Sequence, residues 1–136
     1  MSTFNSGFVD PTINSSGQIA YVCPNATVRQ SICVINFDGT GQNRITDPSG
    51  TDDEDITPVI NDSGQIVYDC ENDLGSSQNS ICVIDFDGNN QAVIDQANNA
   101  DDENTRPAMD NAGRIAYECQ LGLNISSLCM INFDGT

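Results

Sequence analysis

Three copies of one sentence run along this chain. From Pro11, Pro58 and Pro107 it reads PTINSSGQIAYVC, PVINDSGQIVYDC and PAMDNAGRIAYEC, and each copy continues through a variable stretch into SICVINFDGT, SICVIDFDGN or SLCMINFDGT. The spacing is 47 residues and then 49. A period of that size marks supersecondary units that cannot bury an apolar face alone and must stack on their own copies.

Each unit contains four short segments separated by turn chemistry. Segment A is PTIN, closed by Ser-Ser-Gly, Asp-Ser-Gly or Asn-Ala-Gly; segment B is QIAYVC. Segment C is ICVINF, closed by Asp-Gly, and segment D is QNRIT or QAVID. β-Branched and aromatic residues dominate, the turns are Asn-, Asp- and Gly-rich, and no 3.6-residue apolar period is sustained. The fold class read from this pattern is all-β, as four-stranded antiparallel sheets. Pairing B with C through Cys23 and Cys33 puts Val22 opposite Val34, Tyr21 opposite Ile35 and Ile19 opposite Phe37. One face then carries Ile19, Tyr21, Cys23, Cys33, Ile35 and Phe37, the other Ala20, Val22, Ile32 and Val34. Both faces are apolar. A sheet of that kind must be sandwiched between neighbours, as β-propeller blades are.

The pattern Pro-x-x-[Asn/Asp]-x-[Ser/Ala]-Gly-x-Ile-[Ala/Val]-Tyr, then Ile-Cys-Val-Ile-[Asn/Asp]-Phe-Asp-Gly, then Ile-[Thr/Asp], resembles the TolB-type β-propeller repeat. That family has a Pro-aromatic-Ser-Pro-Asp-Gly turn, an Ile-Ala-Phe-type second strand, an Ile-Tyr-Val-type third strand with Asp-Gly, and a closing Leu-Thr. The match spans residues 11 to 135 and recurs three times. It departs at the first turn, where Ile13, Ile60 or Met109 replaces the aromatic residue and the second proline is missing. The resemblance implies propeller blades, usually six to a ring, and protein–protein interaction as the role. The units expected are an N-terminal segment 1–10, able to pair as a blade-completing strand, then blades 11–57, 58–106 and 107–136. The third stops after segment C and so lacks its outer strand. Three open blades would leave apolar faces and a strand edge in water, which drives association. Two copies closing a ring, a head-to-tail filament and a window from a longer tandem chain all satisfy this.

The six cysteines fall one pair to a unit: Cys23 with Cys33, Cys70 with Cys82, Cys119 with Cys129. Each pair ends B and begins C on a shared face, within disulfide reach. Disulfides would place the chain in an extracellular, surface or periplasmic setting. The start MSTFNSGFVD has no charged or apolar signal-peptide region, so a leader has been removed or the chain is part of a longer one.

Twenty acidic residues face four arginines, with no lysine or histidine, for a net charge of −16. That balance repels nucleic acid and anionic lipid, and no apolar run is long enough to span a bilayer. Basic proteins, cations and other copies of the chain are the expected partners. The acids cluster in the D–A loops, Asp52-Asp53-Glu54-Asp55 and Asp101-Asp102-Glu103. Carboxylates grouped on loops are what calcium, the one candidate cofactor, would need; a solvated acidic rim explains them equally. Asn-x-Ser/Thr triplets at Asn14, Asn25, Asn61 and Asn124 fall in expected surface turns, where a glycan could be attached. Without histidine there is no Ser-His or Cys-His pair, so no catalytic residues are assigned. The function expected is a non-enzymatic, self-assembling extracellular scaffold; the alternative is a calcium- or glycan-binding module on the acidic rim.

Overall fold

A computed structural model describes residues 10–24, 29–46, 55–71, 79–95, 104–120 and 125–136. It is built from three antiparallel sheets. The first comprises β1 (Thr12–Ile13), β2 (Gln18–Pro24), β3 (Gln30–Asn36) and β4 (Asn43–Arg44), hydrogen-bonded in that order. The second repeats it with β5 (Asp55–Ile60), β6 (Gln65–Glu71), β7 (Asn79–Asp85) and β8 (Ala92–Asp95). The third holds β9 (Asn104–Met109), β10 (Arg114–Gln120) and β11 (Ser126–Asn132), with no fourth strand among the described residues. The segment expected as a blade-completing strand lies outside the described residues apart from Asp10.

Chain order equals strand order in every sheet, each strand pairing antiparallel with the next. The A–B turns close on Asn14, Asn61 and Asp110, whose side chains accept the backbone N–H two and four residues ahead. Such Asx chemistry is why these residue types recur there. Gly17, Gly64 and Gly113 follow, all at φ 77°. The Asp-Gly hairpins each add a left-handed glycine, and the backbone N–H of Phe37, Phe86 and Phe133 bonds the carbonyl of Gly17, Gly64 and Gly113 at 2.8 Å. The two turns of a sheet are thereby tied together.

The register of the central strands differs from the expectation by two residues. Cys23 lies opposite Ser31, Tyr21 opposite Cys33 and Ile19 opposite Ile35. The disulfides are therefore diagonal, with Cα atoms 5.8, 5.9 and 5.8 Å apart in the three sheets. Right-handed strand twist shortens one diagonal of an antiparallel pair, which brings these cysteines into range. A two-residue slip preserves side-chain parity, so the expected division between the faces stands. Phe37 is the exception: it sits in the hairpin turn, not in the sheet, and is 78% exposed.

The second and third sheets also begin earlier than expected, at Asp55 and Asn104 instead of Pro58 and Pro107. Each inner strand carries a bulge, between Ile56 and Val59 in β5 and opposite Ala116 to Glu118 in β9. Thr57 and Arg106, just before the prolines, are left-handed at φ 50° and 55°, and Asp10 before Pro11 is at 38°. Proline offers no N–H to the ladder, and the bulge absorbs the interruption.

The core lies between sheets. Ala20, Ile32 and Val34 of the first sheet share a buried cluster with Ile60, Ile66, Tyr68 and the Cys70–Cys82 pair of the second. Val67, Ile81 and Val83 of the second then meet Ile115, Tyr117 and Cys119 of the third. Every seam thus joins an outgoing Ala/Val–Ile–Val face to an incoming Tyr–disulfide face.

Candidate functional site

Asp52, Asp53, Glu54, Asp101, Asp102 and Glu103 lie outside the described residues. Asp55, expected among them as a loop ligand, is instead buried as the first residue of β5. Among the described residues no three potential ligands converge on a metal position. The stretch Asp85-Phe86-Asp87-Gly88-Asn89, whose spaced carboxylates resemble the start of a calcium loop, is a hairpin turn. Asp87 accepts the Asn89 backbone N–H at 3.0 Å, and Asp38 and Asp134 do the same for Thr40 and Thr136. The Thr40 and Thr136 hydroxyls, together with these backbone N–H groups, hold Asp38 and Asp134 below the ordinary aspartate range, and the Asn89 backbone and side-chain amides do the same for Asp87.

The sequons at Asn14 and Asn61 are not in open turns either. Both side chains are buried. Asn14 Nδ2 donates to the Asn61 carbonyl at 2.9 Å, and Asn61 Nδ2 to the Asp110 carbonyl at 3.4 Å. A second rung runs beside the first: Ser15 N–H to Asp62 Oδ1 at 2.8 Å, and Asp62 N–H to Asn111 Oδ1 at 3.0 Å. This ladder stitches consecutive A–B turns. A glycan needs the same Nδ2 atom in water, so these two positions do not fit the expected modification. Asn25 and Asn124 lie outside the described residues.

Among the described residues, one sheet face has no neighbour across it. In the third sheet Ala116, Leu128 and Met130 occupy the places that Ala20, Ile32 and Val34 hold in the first and Val67, Ile81 and Val83 hold in the second. Ile81 and Val83 are 0% and 2% exposed, whereas Leu128 and Met130 are 73% and 77% exposed. A groove of about 610 Å³ opens over Ala108, Ala116 and Met130. Tyr68 is seated in one cluster with the small Ala20 at the first seam, and Ala116 leaves the corresponding berth open. On the first sheet, Ile13 and Phe37 are exposed, while their counterparts Ile60, Phe86, Met109 and Phe133 pack into seams.

The seam of the second and third sheets also holds a buried carboxylate, where the first sheet has Val22. Asp69 on β6 is buried between the second and third sheets. Its Oδ2 accepts the Thr57 hydroxyl from its own sheet and the Arg106 backbone N–H, at 3.3 Å, from the next. Its Oδ1 has no hydrogen-bond partner among the described residues. Burial pushes the Asp69 carboxyl up to about 6, and the Thr57 and Arg106 contacts offset only part of that rise. Glu118 holds the same place in the third sheet, where it accepts from the Arg106 guanidinium at 2.9 Å. Tyr68 and Tyr117 have phenols pushed up chiefly by burial. Tyr68 accepts from Gln91, and Tyr117 donates to Asp95 of the preceding sheet.

The repeat phrase thus located the sheets and disulfides but not Leu128, Met130, Glu118 or Arg114. A position-by-position comparison of the copies carries that signal: Ile, Ile, Leu; Val, Val, Met; Val, Asp, Glu; Gln, Gln, Arg.

Comparison with solved structures places this geometry among β-propellers. A TolB-type protein from Agrobacterium tumefaciens superposes with a TM-score of 0.72 at 14% identity, covering 99% of this chain and 48% of that one. TolB from Acinetobacter baumannii gives 0.68 at 14% identity, with 98% and 32% covered. A nidogen/laminin complex gives 0.62 at 12% identity, with 96% and 46% covered. No protein-family model matches the chain, and no curated protein matches it. The chain therefore has a TolB-like propeller fold and spans about half the length of these proteins or less.

Proposed function

We propose that this protein is a non-enzymatic structural module, secreted or displayed at a cell surface, that builds a scaffold by joining propeller faces. The observation that carries the reading is the contrast within the repeat: Ile81 and Val83, buried at an internal seam, have exposed counterparts in Leu128 and Met130 on the third sheet, whereas Tyr21, Cys23, Cys33 and Ile35 of the first sheet are buried. Burying Leu128 and Met130 alone would contribute about 3–6 kcal/mol at each seam. The outgoing face of the third sheet and the incoming face of the first are of the two kinds that meet at both internal seams. Two copies bring six sheets, which close under a twofold axis. Three disulfides set the module in an oxidising compartment, and with every cysteine paired and no histidine the chain has no ready nucleophile–base pair.

The test is native mass by light scattering on oxidised protein over a range of concentrations. A species of twice the chain mass, lost in Leu128→Asp, is the expected result. A single-chain mass at every concentration would overturn the reading, and a large polydisperse mass would replace the closed ring by a filament.

A further inference from the structure

Among the described residues each chain presents one uncovered sheet face, and that limits what a second copy can bring to it. β3 and β7 are buried on both faces, whereas β11 alternates along its length, so the side of the third sheet turned away from the second is bare. The first sheet has the Tyr–disulfide composition that meets such a face at the internal seams, but that surface is already covered. Tyr21, Cys23, Cys33 and Ile35 are 5–8% exposed, and of the large apolar side chains of that sheet only Ile13 and Phe37, at its turn end, lie open.

The bare face is suited to itself in charge. The chain carries −16 with four arginines, and two of them, Arg106 and Arg114, stand here. Arg106 pairs at 2.9 Å with Glu118, which also takes a Ser126 hydrogen bond, and Arg114 Nε donates to Asp110 at 2.7 Å. Both pairs close within one copy, so the face brings no net charge and needs no counter-charge from a partner. Two acidic chains can meet there without the self-repulsion that keeps strongly charged proteins apart.

It is suited to itself in shape as well. Leu128 and Met130 form a ridge along β11, and the groove of about 610 Å³ lies beside it over Ala108 and Ala116. At the first internal seam the counterpart of Ala116, Ala20, shares a cluster with the bulky Tyr68. Under a twofold axis parallel to the strands, each copy lays its ridge in the groove of the other. The third repeat has Leu and Met where the first two have Ile and Val, and a flexible methionine fills an irregular gap better than a β-branched side chain does.

We propose that the third-sheet face pairs with the same face of a second copy, Met130 of each seated over Ala108 and Ala116 of the other, and that assembly stops at two chains. This rests on the reading that the open face joins copies and adds which face it meets. A twofold contact covers both bare faces at once, so no third copy can add.

The experiment is sedimentation equilibrium over a range of concentrations, followed by cross-linking. The wild type should fit one chain in equilibrium with two and grow no further. Leu128→Asp should weaken pairing about a hundredfold or more. Arg114→Glu leaves two uncompensated negative charges on each face and should weaken pairing about tenfold at low salt, and less at about 0.5 M salt. Circular dichroism melts confirm that each variant is folded. Every native cysteine is paired, so Ala116→Cys adds one reactive thiol. A short bismaleimide should join two Ala116→Cys chains. A mixture of Ala116→Cys and Phe37→Cys chains should give no link between the two variants, as peptide mass spectrometry reads it. That mixture tests the third-to-first contact, because Ala20 and Phe86, the counterparts of these positions, share a cluster at the first internal seam. If Ala116→Cys links to Phe37→Cys, or the mass climbs beyond two chains, or two chains form with no Ala116→Cys link, like-face pairing is overturned and the joining of copies survives. A wild type that stays at one chain mass at every concentration overturns both.

Discussion

Asp69 gives the structure its sharpest test. Its carboxyl is buried at the seam of the second and third sheets, and burial lifts it from an ordinary 3.8 to about 6. A rise of about two units is worth about 3 kcal/mol of preference for the protonated form in the folded state. Below about pH 4 both folded and unfolded chains are protonated there, and the group costs nothing. Between about pH 4 and 6 the unfolded chain releases its proton first, so stability falls as pH rises, and above about 6 the full penalty remains. Asp69→Asn removes the ionisation while keeping an oxygen for Thr57 and the Arg106 N–H. The variant should match the wild type near pH 4 within about 1 kcal/mol. It should exceed the wild type by about 2–3 kcal/mol at pH 7, or roughly 6–12 °C in melting temperature for a chain of this size. The exposed carboxyls of Asp38, Asp62, Asp87, Asp110, Glu118 and Asp134 are held low by hydrogen bonds and give the opposite slope. They are common to both proteins and cancel in the difference. The assay is urea unfolding by circular dichroism from pH 4 to 7 at fixed ionic strength, with disulfides intact. Parallel stability profiles for the two proteins would refute the argument that burial controls this carboxyl.

Ile81→Ala, at an internal seam, should cost about 2–5 kcal/mol, while Leu128→Ala at the equivalent open position should change the stability of the unassociated chain by less than about 0.5 kcal/mol; chemical denaturation at low protein concentration measures both. Replacing Cys70 and Cys82 together by alanine should lower stability by about 2–3 kcal/mol, since the loop closed spans 12 residues, and should do so without altering the far-ultraviolet spectrum. Asn61→Ala removes the ladder donor to the Asp110 carbonyl and should cost about 1–3 kcal/mol in the same denaturation assay. Expressed in a glycosylating host, the folded protein should carry no glycan at Asn14 or Asn61, and peptide mass spectrometry after deglycosylation checks this.

The division of Ile19, Tyr21, Cys23, Cys33 and Ile35 from Ala20, Val22, Ile32 and Val34 was legible in the chain alone. Alternation along a strand is a local property, indifferent to a slip of two. The cysteine pairs were legible for the same reason, since any register that keeps parity leaves each pair on one face. The register itself was not, because strand twist decides which diagonal is short enough for the bond, and twist is a property of the assembled sheet. The repeated proline marked each inner strand but not its start. The bulges at Thr57 and Arg106 carry β5 and β9 back to Asp55 and Asn104, which turns one expected loop carboxylate into a buried one.

The candidate site divides along the same line. Sequence determined that each unit is apolar on both faces and must be stacked, because greasy alternation on two sides leaves no face for water. Only the tertiary structure decided which of three nearly identical faces stays open. Ile32, Ile81 and Leu128 are the same residue in pattern; what separates them is whether another sheet lies across them. Likewise Asn14 and Asn61 read as surface turn residues until the turns are stacked, when their amides become the rungs between sheets. Local chemistry fixes what a residue can bond, and the neighbour that meets it is set by the packing of units far apart in the chain.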